Sequence, residues 1–242
     1  MAVVSETIID FWRKPFLDGE VLYRNEVFTV VVNPNLDEDR RVMVLETSDN
    51  KVMVTLTPTM VEKIGLEIGQ ELSEGIFRQK LNEAGVMLHG ADFLFYFSEE
   101  DKNVLVQEEI EGEVRQLTAQ DNTVFSQFEG AASEQDLDDA YVELDHWAVF
   151  GSFEQKRLVA ATSMYPWQDA QIADLGVLTL QAFRGKGHAR RVVRAISKYA
   201  LAKGYEPQYR CQLDNEASTA LAKATGLTLF GKWDVISPDS VY

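Results

Sequence analysis

The sequence predicts a mixed α/β (α+β) chain in two parts. The first is an N-terminal accessory α+β region over residues 1–112, and the second is a mixed sheet flanked by helices over 113–242. Three observations predict this. From Glu113 onward the apolar pattern reads strand, two helices, three strands, helix, strand, helix, strand, changing between periods of 2 and 3.6. The strongest of those helices, Arg184–Gly204, carries Ala189, Val192, Val193, Ile196 and Ala200 on one face and follows a strand through a turn with two glycines. Charge also divides the chain near residue 112: residues 1–112 hold 22 acids and 10 bases, and residues 113–242 hold 17 and 13.

Taken in order, Val21–Val32 is rich in Val, Tyr and Phe and reads as strands. Arg41–Glu46 and Lys51–Thr57 form a hairpin turned by Ser48-Asp49-Asn50. Thr57-Pro58 opens a helix, with Pro58 in the first position, where a missing N–H leaves no bond unmade. A second helix is expected over Gln70–Ala84, ended by Gly85, and a short buried strand over Asp92–Ser98. The acidic stretch Glu99–Glu113 reads either as a linker or as the solvated end of a strand at 102–108. Glu113–Leu117 is the first strand of the second part. Thr118 opens a helix, and Ser133 opens another with Asp136 three residues on, the pattern of a capping box. Trp147–Ser152 and Lys156–Met164 form a hairpin, and Ile172–Leu180 is a strand. After the basic helix come a strand at Gln208–Leu213, a helix at Asn215–Thr225 and a closing strand at Leu227–Ile236.

Composition narrows the function. A net charge of −16 opposes nonspecific binding to nucleic acid or anionic lipid, because phosphate repels such a surface. Cys211 is alone, so no intrachain disulfide and no cysteine-held metal cluster is expected. His89, His146 and His188 show no metal-ligand spacing. The N-terminus has no apolar run long enough for a signal peptide, and no stretch approaches the roughly 20 apolar residues of a membrane span. A cytoplasmic protein without metal, with a possible homodimeric state, is the expectation. The first part shows no catalytic constellation, and its acidic face reads as solvated surface.

Chemistry concentrates where the strand at Ile172–Leu180 turns into the basic helix. The turn delivers Arg184-Gly185-Lys186-Gly187-His188-Ala189 onto the first helical turn. Glycine lets the backbone turn tightly and lets a ligand approach the amides. First-turn N–H groups have no partner inside a helix, so they and the helix dipole favour an anion. Between Leu175 and Tyr205 there is no acid, while Arg184, Lys186, Arg190, Arg191, Arg194, Lys198 and Lys203 are all basic. These bases are expected on the outer side and N-terminal mouth of the helix. A diphosphate fits that loop. The pattern is neither a P-loop, since His188 follows Gly187, nor a dinucleotide fingerprint, since Arg190 stands where glycine would be needed.

Residues 113–242 resemble the GNAT superfamily of N-acetyltransferases. The family's coenzyme A signature, R/Q-x-x-G-x-G/A, reads here as Arg184-x-x-Gly187-x-Ala189, and an Asn-led helix follows downstream from Asn215 through Ser218 to Leu221. The resemblance implies that acetyl-CoA binds in a split between two parallel strands. Its pantetheine would lie on the backbone of Leu178, Thr179 and Leu180. Its pyrophosphate would lie on the amides of Gly185, Lys186, Gly187, His188 and Ala189 beside Arg184, and Asn215 and Ser218 would face the pantetheine arm. A primary amine, on a small molecule or a protein, would then attack the thioester directly while a general base takes its proton. Asp174, on the strand before the signature helix, is the first candidate for that base. Glu143, Asp145 and His146 are the others, and imidazole suits the role because it titrates near neutrality. Trp167 is placed to line the acceptor site. The family often has a Tyr after the Leu of its second motif to protonate the leaving thiolate. Ala222 occupies that position, which leaves the acid unassigned and keeps open an alternative: a catalytically inactive acyl-CoA-binding sensor or scaffold.

Overall fold

The structure is a computed structural model that describes residues 3–168 and 170–240. By contacts the chain forms two compact units. One gathers residues 95–210 and 216–228 with the described residues up to Thr7. The other gathers residues 8–94, 211–215 and the described residues from 229.

The chain begins with α1 (Glu6–Arg13), β1 (Glu20–Arg24), β2 (Phe28–Val32), β3 (Val42–Thr47) and β4 (Val52–Leu56). It continues through α2 (Pro58–Lys63), α3 (Glu74–Glu83) and β5 (Asp92–Tyr96). The β3–β4 hairpin forms as expected, its turn closed by the Asn50 N–H donating to Thr47 O, with Asn50 in the left-handed region at φ 61°. β2 and β4 pair in parallel, so β4 is inserted between β2 and β3. β1 pairs antiparallel with β2, and the late strand β11 (Thr228–Val235) pairs antiparallel with β3. Phe28, Val30, Val44 and Val54 on this sheet pack with Met60 of α2, Ile64 just after it, and Phe77 and Leu81 of α3 into one buried cluster. Ser73 caps α3 by accepting from the Ile76 N–H, so that helix starts four residues later than Gln70.

The stretch read as a linker or strand end at 99–113 is instead mostly helix: α4 spans Glu99–Gln107. Ser98 accepts the Asp101 N–H at 3.1 Å, and Glu99, Glu100 and Asp101 place negative charge on the N-terminal turn, where the dipole favours it. Buried Lys102 bridges Glu99 at 2.7 Å and Glu206 at 2.6 Å. A run of acids thus works here as a helix start, which period counting alone did not show.

Then follow β6 (Glu113–Gln116), α5 (Asn122–Glu129), α6 (Glu134–Ala140), β7 (Ala148–Glu154), β8 (Arg157–Pro166) and β9 (Ile172–Thr179). α7 (His188–Ala202), β10 (Glu206–Gln212) and α8 (Glu216–Thr225) complete the unit. Thr118 and Asp121 form a full capping box at the 3-10 turn that leads into α5, and Ser133 caps α6 by accepting the Asp136 N–H. The β7–β8 hairpin turns through Gln155 and Lys156, both left-handed. The strands lie in the order β6-β7-β8-β9-β10, antiparallel except for the parallel pair β9–β10. α5 and α6 bury Phe125, Phe128 and Leu137 against Val149, Ala161 and Leu178 on one face. α7 lies on the other face, where Tyr199 meets Phe150 and Trp147. No helix among the described residues is long and apolar enough to cross a membrane.

Candidate functional site

The two ends of β9 carry two different kinds of chemistry. At its C-terminal end the backbone dominates. The parallel register with β10 runs from Ile172↔Glu206 to Leu175↔Tyr209, and β9 continues past it to Thr179. The Leu180 N–H donates to Val159 O, which turns Leu180, Leu178 and Gly176 toward β8. Alternation then turns the backbone groups of Val177 and Thr179 to the β10 side, beyond the last parallel pair. The groups facing a ligand on this strand therefore centre on Val177 and the Thr179 N–H; the Leu180 N–H and the Thr179 carbonyl are already used. Thr179 O accepts from Arg184 Nε at 3.1 Å.

The turn after β9 is built for close approach. Gly185 and Gly187 sit at φ 77° and 81°, where a side chain is strained, and nothing lies within 4 Å of the position a Gly185 Cβ would take. Gly187 caps α7, and the helix begins at His188, four residues after Arg184. The amides of this first turn are the unmade donors of a 15-residue helix.

The basic residues do not all sit on the outer side and N-terminal mouth of α7, as the charge pattern had suggested. Arg194 is buried and donates to both carboxylate oxygens of Glu108 and to Thr225 O, while Lys198 donates to Glu108 O at 2.6 Å. These two cations hold α7 to neighbouring chain. Arg184 pairs with Asp136 at 2.7 Å, and this guanidinium holds the Asp136 carboxyl below the usual carboxylate range. Lys186 lies 3.5 Å from Glu154, whose other oxygen is 3.1 Å from His188 Nε2. His188, and then Lys186, lower the Glu154 pKa. Exposed Arg190 keeps its charge at the surface near the loop.

At the N-terminal end of β9, side chains dominate. Asp174 is buried and receives Gln208 Nε2 at 2.9 Å, Arg210 Nη2 at 2.8 Å and the Tyr165 hydroxyl at 3.3 Å. Gln208 in turn accepts from the Tyr96 hydroxyl, and Arg210 stacks over Trp167 at 4.3 Å. Three side chains already donate to the two oxygens of Asp174, Arg210 through both Nε and Nη2, so an amine would have to displace one of them. Burial and then Asp174 push the Tyr165 phenol up to about 12.

His146 stands one strand over. The register pairs Ser163 with Gly176 and Tyr165 with Asp174, which sets all four on one face of the sheet. A Cβ on Gly176 would lie 1.9 Å from Ala140 O, so only glycine lets the segment after α6 lie down across β9 at this point. Tyr141 then turns left-handed at φ 46°, and the chain presents Glu143 and His146. Ser163 Oγ accepts the Glu143 N–H at 3.2 Å, lies 2.7 Å from His146 Nδ1, and reaches Tyr141 O at 3.5 Å. His146 Nε2 faces Glu143 Oε2 at 3.6 Å, and the His146 ring packs against Tyr141 and Tyr165 with centroids 5.0 Å apart in each case. Asp174, Glu143 and His146 are thus grouped near the point where the β9–β10 register stops. Asn215 precedes α8 and Ser218 lies in its first turn, while Ala222 is fully buried and presents no proton donor.

Sequence reasoning missed Gly176, Ser163, Gln208, Arg210 and Tyr96. A lone glycine amid a strand pattern was the one available signal, because it marks close approach by another backbone. The others are ordinary strand residues until the register aligns them.

Residues 113–227 match the family model described as the acetyltransferase (GNAT) family. No curated protein matches the chain. Among solved structures, a GNAT-family acetyltransferase from Colwellia psychrerythraea aligns at 16% identity over 98% of this chain and 98% of that one, with a TM-score of 0.53. A functionally unknown conserved protein from Staphylococcus epidermidis ATCC 12228 aligns at 12% identity over 93% and 96%, with a TM-score of 0.47. The ribosomal-protein-S18-alanine N-acetyltransferase from Escherichia coli aligns at 12% identity over 53% of this chain and 97% of that one, with a TM-score of 0.38. The strand order, the glycine turn that opens α7 and the family match agree: residues 113–227 are a domain of the GNAT acetyltransferase family.

Proposed function

We propose that the protein is an N-acetyltransferase that moves an acetyl group from acetyl-CoA to a primary amine. The observation that supports this most is the loop at Gly185–Ala189, where two left-handed glycines, open space at Gly185 and the free amides of α7 fit a diphosphate. When bound, acetyl-CoA would supply a thioester carbonyl open to attack by an amine. The Val177–Thr179 edge would hold the pantetheine, and the loop amides with Arg184 and Lys186 would hold the phosphates.

His146 is the base in this reading. Its Nδ1–H donates to Ser163 Oγ, whose own proton goes to Tyr141 O. That leaves Nε2 to take the amine proton, with Glu143 beside it to balance the imidazolium. Asp174 instead holds Gln208 and Arg210, and through Arg210 it holds Trp167, as a positioning residue for the acceptor. The exposed carboxylates Glu143 and Asp145 favour a cationic acceptor. Ala222 supports the second reading, an acyl-CoA-binding module without turnover. An assay for free CoA thiol across amine classes decides between them. Amine-dependent thiol release confirms the enzyme, and saturable CoA binding with no release from any amine class contradicts it.

A further inference from the structure

Arg191 lies in the first turn of α7, directly after the glycine loop, and its position assigns it a task other than attracting phosphate. Its Nη1 donates to Lys186 O at 3.3 Å and its Nη2 to His188 Nδ1 at 2.9 Å, while its Nε is buried without a partner. A trans peptide points its C=O and its N–H in opposite directions. Drawing the Lys186 carbonyl toward the Arg191 side chain therefore turns the Gly187 N–H the other way and removes a carbonyl oxygen from the face an anion would use. Glycine suits this geometry, since at φ 81° a side chain is strained and a Cβ would come within 3.2 Å of Arg191 Nη1.

A second layer holds Arg191 in turn. A guanidinium only donates, so His188 Nδ1 must accept from it, and the ring proton must sit on Nε2. That proton faces Glu154 Oε2 at 3.1 Å, while Ser152 Oγ lies 2.9 Å from Nδ1. His188 is buried, and the ring of Phe183 covers it edge-on at 6.3 Å. The Ser152-His188-Glu154 set is not a hydrolytic triad, because Ser152 is 1% exposed and its histidine nitrogen is shared with Arg191.

We propose that Arg191, held by a single tautomer of His188 between Ser152 and Glu154, is a positioning residue that orients the Lys186–Gly187 peptide so that its N–H faces a diphosphate. The inference rests on the acetyl-CoA reading for its ligand and on Arg191 geometry for its mechanism.

Three variants test it: Arg191→Lys, which keeps the charge and loses the fork; His188→Asn, whose amide oxygen can replace the Nδ1 acceptor; and His188→Gln, whose amide falls instead at the Nε2 position. The probes are acetyl-CoA in steady state, inorganic pyrophosphate in titration, and the carbonyl carbon shift of Lys186 in the free protein. Arg191→Lys and His188→Gln are expected to raise KM for acetyl-CoA about tenfold at unchanged kcat, and to weaken pyrophosphate by a similar factor, the loss of roughly one hydrogen bond to a charged partner. Both should move the Lys186 carbonyl shift, and His188→Asn should restore wild-type values. If pyrophosphate binds and responds this way while acetyl-CoA does not bind at all, the proposed function fails and the orientation inference stands. An unmoved carbonyl shift in Arg191→Lys, or pyrophosphate affinity equal to wild type, overturns the inference whatever acetyl-CoA does.

Discussion

The two ends of β9 differ in what they are made of. The C-terminal end presents backbone: the edge at Val177 and Thr179 and the amides of residues 185–189, shaped by two glycines within a single stretch of chain. The N-terminal end works through side chains from separate segments: Tyr96, Glu143, His146, Tyr165, Asp174, Gln208 and Arg210. A site made of backbone tolerates most side-chain changes and fails when the chain can no longer adopt the required φ. A site made of side chains fails one contact at a time. On the proposed function, the same contrast predicts that mutation separates acetyl-CoA binding from acceptor chemistry.

The largest effect expected on the side-chain end comes from His146. His146→Ala should lower kcat by about 10²–10⁴-fold, the usual worth of a general base, with acetyl-CoA binding unchanged. Stopped turnover with intact binding would sharpen the contrast, whereas a kcat within about threefold of wild type would return the role to Glu143, Asp174 or water. Asp174→Asn should act more weakly and differently. It leaves the Arg210 charge without its buried partner, so the expected cost is about 3–5 kcal/mol in unfolding free energy, with a raised KM for the amine. Chemical denaturation checks the first effect and acceptor titration the second.

Smaller effects follow from charge. Arg190 is exposed, so Arg190→Glu should weaken acetyl-CoA by only about two- to fivefold, and the difference should shrink as added salt shortens the screening length. Arg194→Ala should instead lower stability, since that guanidinium is buried on Glu108 and Thr225 O. A common salt-sensitive loss of affinity in both variants would erase the distinction drawn here. Smallest near neutral pH is the effect of Tyr165. Its folded pKa, raised to about 12, exceeds the ordinary value near 10, so its stabilising contribution is full below pH 10 and is lost as pH rises toward 12. Tyr165→Phe should remove that alkaline loss of stability, and below pH 10 the activity profile should show no falling limb that Tyr165→Phe abolishes.

The contrast also governs what could be read in advance. The glycine loop was legible because its parts are consecutive: Arg184, Gly187 and Ala189 lie within six residues, and a preceding strand and a following amphipathic helix frame them. The helix capped by Ser133 and the β7–β8 hairpin were legible for the same local reason. Arg194 was misplaced because helical periodicity separates faces without showing that Glu108, 86 residues earlier in sequence, would supply a buried partner. The acids of 99–101 hid a helix start because composition marks them as solvated before it marks them as a complement to a dipole. Asp174 was found by its position on the strand. Its partners were not, because Gln208 and Arg210 lie across a parallel pairing whose register no local pattern encodes.

Titration of CoA into the wild-type protein and into Gly187→Val by calorimetry tests the backbone account most directly. A valine at φ 81° costs about 1–2 kcal/mol in backbone strain, crowds Arg191 and covers the amides, while the position is exposed and lies outside the core. Saturable binding to the wild type and at least about a hundredfold weaker binding to the variant are expected, with both proteins folded and His146→Ala binding as the wild type does. Equal CoA affinity in the wild type and Gly187→Val would contradict the placement of the diphosphate on this loop.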